Sequence, residues 1–252
     1  MHVLITNDDG IHAKGIKALA NHLSKTNKVT VVAPDRQQSA TSHAITLHKP
    51  LHVDKVNLGD ESVTAYHANG TPADCVKLAL GALCDEPPDL VISGINSGAN
   101  LGLDIIYSGT ASAAAEAVLQ GYPAIAVSLT GPPFDFSASV LVAERLINMV
   151  MQRGLLADTY LNVNVPPRPY EELTGIAITR TGVRKYRNSY ERRTDPLGRS
   201  YYWQVGEVLQ MHNEPDTDVR TVEDGKVSVT PVHFDFTNGR LLVTLKEWEL
   251  TL

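Results

Sequence analysis

Residues 1–34 read MHVLITNDDGIHAKGIKALANHLSKTNKVTVVAP. The apolar run Val3, Leu4, Ile5 precedes the turn residues Asn7, Asp8, Asp9 and Gly10, which predicts a short buried strand ending in an acidic doublet. Ile16, Leu19, Ala20 and Leu23 then recur at helical spacing, and KVTVVAP predicts a second buried strand stopped by Pro34. Strand, helix and strand in this order predict a βαβ opening.

The same alternation continues outward. TPADCVKLALGAL, residues 71–83, predicts a helix capped by Thr71, with Pro72 in its first turn and Val76, Leu80 and Leu83 facing inward. Strands are expected at 89–93, 124–129 and in YLNVNVP, residues 160–166, with helices over about 110–120 and 136–152 between them. This pattern predicts an α/β fold with a mainly parallel sheet covered on both faces. Residues 39–67 are less regular: HAITLHKPLHVDKV and SVTAYHA predict two or three strands, interrupted by Pro50 and Gly59, in an excursion from the main sheet. Cys75 and Cys84 fall nine residues apart in one predicted helix, on nearly opposite faces, so a disulfide between them is excluded.

Beyond Pro166 and Pro167 the composition changes. Aromatic residues accumulate (Tyr186, Tyr190, Tyr201, Tyr202, Trp203, Trp248), and KVSVTPV and LLVTL predict strands, with no strong helix. The expected division is a catalytic core over 1–167 and a β-rich extension over 168–252. Seven of the 22 basic residues lie between Arg180 and Arg199, which fits a solvated hairpin or oligomerisation arm, or else a positive rim for a polyanion.

A net charge of −6 and a pI near 5.8 argue against binding nucleic acid duplexes, which needs surplus lysine and arginine. No apolar run approaches the roughly 20 residues of a membrane helix, and no basic segment followed by an apolar signal core opens the chain. The expectation is a cytoplasmic protein without a membrane partner.

In a parallel sheet, ligands bind beyond the carboxyl ends of the strands. Here those loops read TNDDG, APDRQQSATS and SGINSGANLGLDIIYSGTASAAAE. A dinucleotide turn would need a glycine fingerprint where TNDDG stands, and two carboxylates there would repel a diphosphate. A divalent cation reverses that sign. Oxygen ligands of this kind suit Mg²⁺ or Mn²⁺, and Ser39, Ser42, Asn96 and Asn100 offer further oxygens. The competing reading makes Asp8 and Asp9 an N-cap pair for the helix beginning near His12. Gly94, Asn100, Ser108, Gly109 and Thr110 are the phosphate-binding candidates, from a glycine-rich loop and the helix N-terminus that follows it. Together they suggest phosphomonoester hydrolysis. An aspartyl-phosphate phosphatase is a rival, although such enzymes place their aspartates two apart.

TNDDG, VVAPDRQQSATS, NGTPADCV, PDLVISGINSGANLGLDIIYSGTASAAAE, LNVNVP and DTDVRTVEDGKVSVTP, taken in order, strongly resemble the SurE family of nucleotidases. The resemblance spans Val3 to about Pro231, and its small departure is Ala111 where valine is usual. It implies a Rossmann-like three-layer core and a metal-dependent nucleotidase acting on nucleoside 5′- and 3′-monophosphates, with exopolyphosphatase activity in the same site. By matching motifs, Asp8, Asp9, Ser39 and Asn96 would hold one divalent cation per subunit, Mg²⁺ or Mn²⁺, with Asp8, Asp9 and Asn96 as catalytic residues. It further implies a C-terminal extension exchanged between subunits in a homodimer or homotetramer. Neither route identifies a general base, and Glu116 is the one Glu or His of the YSGTASAAAE stretch left without a role. A catalytically silent module that binds metal and nucleotide is the alternative of a different class.

Overall fold

The computed structural model describes residues 1–248, apart from the Asn188 side chain. The last four residues of the expected extension therefore lie outside the described residues.

Period-two alternation in the central strands decides the layering. In β1 (His2–Thr6), Val3 and Ile5 point to one face and Leu4 to the other. The first face packs against α1 (Lys14–Leu23) and α4 (Ser137–Arg153) through Ile16, Leu19, Leu23, Val140, Ala143 and Ile147. The second packs against α2 (Pro72–Leu78) and α3 (Gly109–Leu119). On that side small residues meet small residues: Ala124 and Ala126 of β6 (Ala124–Leu129) lie under Ala113, Ala114 and Ala117, so α3 is buried along all but its last residue. Gly15 in α1 permits an equally close approach, since a Cβ there would come within 2.0 Å of the Ile95 carbonyl oxygen.

Around β1 lie β2 (Lys28–Pro34) and β5 (Leu90–Ser97), both parallel to it. β4 (Val63–Ala68) extends the sheet beyond β2, while β6 and then β7 (Thr159–Val165) extend it beyond β5, all parallel. β3 (Val53–Val56) is an antiparallel edge on β4. The segment after Pro167 completes the other side, where β11 (Val227–His233) pairs antiparallel with β7 and parallel with β8 (Ile176–Ile178). The sheet order is β3-β4-β2-β1-β5-β6-β7-β11-β8. β9 (Lys185–Thr194) and β10 (Ser200–Leu209) form a separate antiparallel hairpin. The α/β architecture with a mainly parallel, doubly covered sheet is the expected one.

Three expectations are corrected. The strands β3 and β4 belong to the main sheet rather than to an excursion, and residues 43–52 form no strand because side chains, not a ladder, hold them. LLVTL is helical, within α6 (Gly239–Lys246), where the Asn238 side chain caps the Leu241 amide. A five-residue apolar run carries no decisive period, and the cap settles it. The extension also holds a short helix, α5 (Asp218–Glu223), capped by Thr217. Cys75 and Cys84 are free thiols. Among the described residues, no helix is long and apolar enough to cross a membrane.

Candidate active site

The loops leaving β1, β2 and β5 at their carboxyl ends meet in one place. The first is locked by Asn7, whose buried amide donates to the Gly10 carbonyl at 3.0 Å and accepts from the Gly10 amide at 3.1 Å. Gly10 takes φ +96°, and a Cβ there would lie 3.1 Å from the Arg36 backbone, so glycine is required. This turn presents Asp8 and Asp9 side by side.

Neither carboxylate caps α1, whose N-cap is Ala13 without a side-chain bond. That removes the capping reading. Asp8 is 5% exposed and accepts a 2.5 Å hydrogen bond from the Thr110 hydroxyl, while Asp9 accepts from the Ser97 amide at 2.9 Å. Among the described residues neither pairs with a lysine, arginine or histidine. Burial, reinforced by the Asp9 charge, pushes the Asp8 carboxyl up to about 6, although the Thr110 hydrogen bond pulls the other way. A buried carboxylate beside a second one and without a counter-charge is costly unless a cation joins it.

Both aspartates line a cleft of about 970 Å³, together with Ser39 and Asn96. Asn96 follows a bulge in β5 and spends its amide nitrogen on the Gly98 carbonyl at 2.9 Å, which leaves its oxygen. Ser39 is exposed and accepts from the Gln37 amide at 2.8 Å. The donor set is oxygen only. Among the described residues no group of three or more His, Cys, Asp or Glu gathers as a metal cage, so two carboxylates and neutral oxygens must suffice. That chemistry fits Mg²⁺ or Mn²⁺, of which Mg²⁺ keeps several waters and needs few carboxylates.

The phosphate candidates separate. Asn100 and Ser108 line the cleft. Asn100 is fixed from behind: its amide N–H donates to Asn164 Oδ1 at 2.9 Å, its side chain donates to the Ser128 hydroxyl at 2.8 Å, and its carbonyl accepts from Asn162 and Asn164. The Ser108 hydroxyl caps α3 by accepting from the Ala111 amide. Gly94, Gly109 and Thr110 sit behind the cleft wall. A Cβ on Gly94 would lie 2.5 Å from the Val127 carbonyl oxygen, and one on Gly109 would lie 2.7 Å from the Asp8 Cβ. The N-terminus of α3 thus faces a protein carboxylate. Ser42 is likewise spent on the protein, donating from its hydroxyl to the Ile106 carbonyl at 2.7 Å.

Opposite the aspartates, the root of the hairpin supplies Arg184, Lys185 and Tyr186 to the cleft. Asp104, in the 3₁₀ turn Gly102–Ile106, holds this wall by pairing with Arg184 at 3.0 Å and accepting from the Tyr186 hydroxyl at 2.6 Å. Burial and that bond push the Tyr186 phenol up to about 12. Arg180, Arg193 and Arg199 lie outside the cleft lining and pair with Asp216, Glu191 and Asp195. Glu116 is far from solvent and outside the cleft lining, bonded to His43, Lys77 and Gln120. The sequence reading missed Asn162, Asn164, Asp104 and Tyr186. Asparagine twice within an apolar strand was the available signal for the first two.

The family model described as Survival protein SurE matches residues 3–188. A 5′-nucleotidase SurE of Carboxydothermus hydrogenoformans is 52% identical over 253 residues, spanning 98% of this chain and 96% of the relative. One of Moorella thermoacetica is 52% identical over 239 residues, spanning 94% and 92%. The crystal structure of the SurE protein from Aquifex aeolicus superposes with a TM-score of 0.84 at 42% identity, covering 98% of each chain. With the motifs in order, the family model over most of its length and full-length relatives near half identity, the chain belongs to the SurE family.

Proposed function

We propose that this chain is a divalent-cation-dependent 5′-nucleotidase, hydrolysing nucleoside monophosphates to nucleoside and phosphate. The observation that carries the reading is the unpaired doublet, buried Asp8 beside half-buried Asp9, on a cleft wide enough for a nucleotide. Asp8, Asp9, Ser39 and Asn96 would hold one Mg²⁺ or Mn²⁺ ion. That ion, when bound, supplies a Lewis acid at the phosphoryl group.

The chain's own residues do the rest. Thr110 and the Ser97 amide fix the two carboxylates, and Asn96 serves beside them as the third catalytic residue. Asn100 and Ser108 face the phosphate from the glycine-rich loop, with Lys185 giving positive charge from the other wall, where Asp104 offsets that of Arg184. Leu103, Tyr107 and Leu209 line the cleft as apolar surface for the nucleoside. A water oxygen attacks phosphorus, the ester P–O bond breaks, and the nucleoside leaves as an alcohol whose oxygen takes up a proton from the water.

Since binding centres on the phosphate, the site would take 3′- as well as 5′-monophosphates. Lys185 on the cleft wall favours polyphosphate as a further substrate. Residues 168–252 act as the oligomerisation arm of a homodimer or homotetramer, through the exposed hairpin and α6.

The test is phosphate release from a panel of nucleoside monophosphates before chelation, after it, and with Mg²⁺ or Mn²⁺ restored. Release that stops and returns supports the nucleotidase. Nucleotide binding without release under either ion would replace it with the silent binding module.

A further inference from the structure

Ser39 lies in a stretch between β2 and β3 that has neither helix nor strand over residues 35–52. No backbone ladder fixes it. Ala40 and Ser42, on either side of Thr41, take φ +56° and +54°, a left-handed conformation that non-glycine residues rarely adopt. Such a conformation persists only where its surroundings impose it.

Backbone bonds and side chains impose it together, beginning with the Gln38 amide, which donates to the Asp8 carbonyl at 2.7 Å. The Ser42 amide donates to the Tyr107 carbonyl at 3.0 Å. Thr46 donates through its amide and its hydroxyl to the two oxygens of Asp74, at 2.8 and 2.6 Å. Between these ties, His43 Nε2 donates to Glu116 Oε2 at 2.8 Å, across 73 residues of sequence.

Glu116 is a buried acid that the proposed reaction leaves without a role. It is 4% exposed, and Lys77 and Gln120 complete its bonding at 3.2 and 2.8 Å. Both of those partners come from the helical layer, so among the described residues His43 is the one donor that the loop contributes. Glu116 also belongs to α3, the helix whose Thr110 fixes Asp8. One rigid helix is thereby bonded to the Asp8 carboxylate at its first turn and to the Ser39 loop two turns later.

We propose that the His43–Glu116 contact is a strut that braces the far side of the Ser39 loop, whose near side the Gln38–Asp8 backbone bond holds, so that together they set the position of Ser39 relative to Asp8 and His43 is a positioning residue for the cation site. The inference rests on the assignment of Ser39 to that site under the proposed function. His43 touches no cleft-lining carboxylate and has no catalytic part.

The experiment compares wild type with His43→Ala, His43→Gln and Lys77→Met. Amide hydrogen exchange of Ser42 and Thr46 is read in the cation-free protein, and Mn²⁺ affinity by calorimetry. His43→Ala should speed exchange at both amides by about tenfold. It should also weaken Mn²⁺ binding by about tenfold or more, as loss of an outer-shell partner does. At saturating Mn²⁺, kcat should return to within about twofold of wild type, since no reacting group is removed. His43→Gln, whose amide nitrogen can donate to Glu116, should restore both readouts. Lys77→Met, which removes a Glu116 partner outside the loop, should move neither. Unchanged exchange in His43→Ala overturns the strut, and so does faster exchange with unchanged Mn²⁺ affinity. A wild type that binds no Mn²⁺ overturns the site assignment instead, and wild-type calorimetry alone tells the two failures apart.

Discussion

The Thr110 hydroxyl donates to Asp8 Oδ1 at 2.5 Å, joining residues 102 positions apart in sequence and tying the first turn of α3 to the end of β1. Thr110 is fully buried, so its part is to aim the carboxylate rather than to meet substrate. Thr110→Val keeps the shape and removes the donor. Phosphatase activity at limiting Mn²⁺ should fall by about 10- to 100-fold, with Thr110→Ser close to wild type. A Thr110→Val protein with wild-type Mn²⁺ dependence would refute the aiming role.

Gly109 makes the same junction sterically. An added Cβ would meet the Asp8 Cβ at 2.7 Å and Asp8 Oδ2 at 3.1 Å, and the Asp8 Cβ, bonded to its own backbone, cannot swing aside as a side-chain tip could. Gly109→Ala should shift Asp8 and lower kcat by about 100-fold, the cost of misplacing a reacting constellation by an ångström. The circular dichroism spectrum should stay native, since alanine is a better helix former than glycine.

Asp74 links the helix cap to the Ser39 loop, closing a capping box with Thr71 and accepting from Thr46. Burial raises its pKa, but the bonds from Thr46 and Thr71 outweigh that and hold it below the usual 3.8. A carboxyl depressed in the folded state adds stability above its unfolded value, and the contribution disappears as pH falls through the folded one. Urea unfolding should therefore show wild type ahead of Asp74→Asn at pH 7, with the gap shrinking as pH falls below about 4. A gap independent of pH would mean that the charge of Asp74 does not stabilise the fold.

Tyr107 is 64% exposed on the cleft wall, with its backbone held by bonds to Asp104 and Ser42. An exposed ring on a fixed backbone is a stacking surface for a base. Tyr107→Ala should raise KM for a nucleoside monophosphate by about tenfold, the worth of one stacked base. KM for glycerol phosphate, which has no base, should stay unchanged. Equal rises for both substrates would remove Tyr107 from base recognition.

Much of this was legible because two rules converge on one place. The apolar runs HVLIT and KVTVVAP, joined through a helix, point to a parallel sheet, and parallel sheets gather the residues after each strand, so distant loops point to one cleft. What spacing does not carry is the partner of a side chain. Thr110 and Gly109 open a helix, as phosphate-binding residues do, yet the group at that N-terminus is Asp8. The clasp of Asp104 on Arg184 and Tyr186 joins residues about 80 apart that share no motif. Residues 43–52 read as strand from their apolar content, whereas Thr46 and His43 are bonded to helices.

The hairpin turns its two faces to different surroundings. Successive strand residues point to opposite faces, so Gln204 and Gly206 face the cleft while Tyr201, Trp203 and Val205 turn away from it. Those three are 42%, 57% and 40% exposed, an apolar stripe on a two-stranded ribbon, which is marginal without further packing. A second copy covering the stripe would supply that packing. Trp203→Glu should shift the sedimentation coefficient toward the monomer while leaving the main sheet folded, because no residue of that sheet is altered. Deleting everything after Pro167 would be a poorer test, since β8 and β11 leave with the hairpin and expose β7. An unchanged sedimentation coefficient in Trp203→Glu would remove the hairpin stripe from self-association.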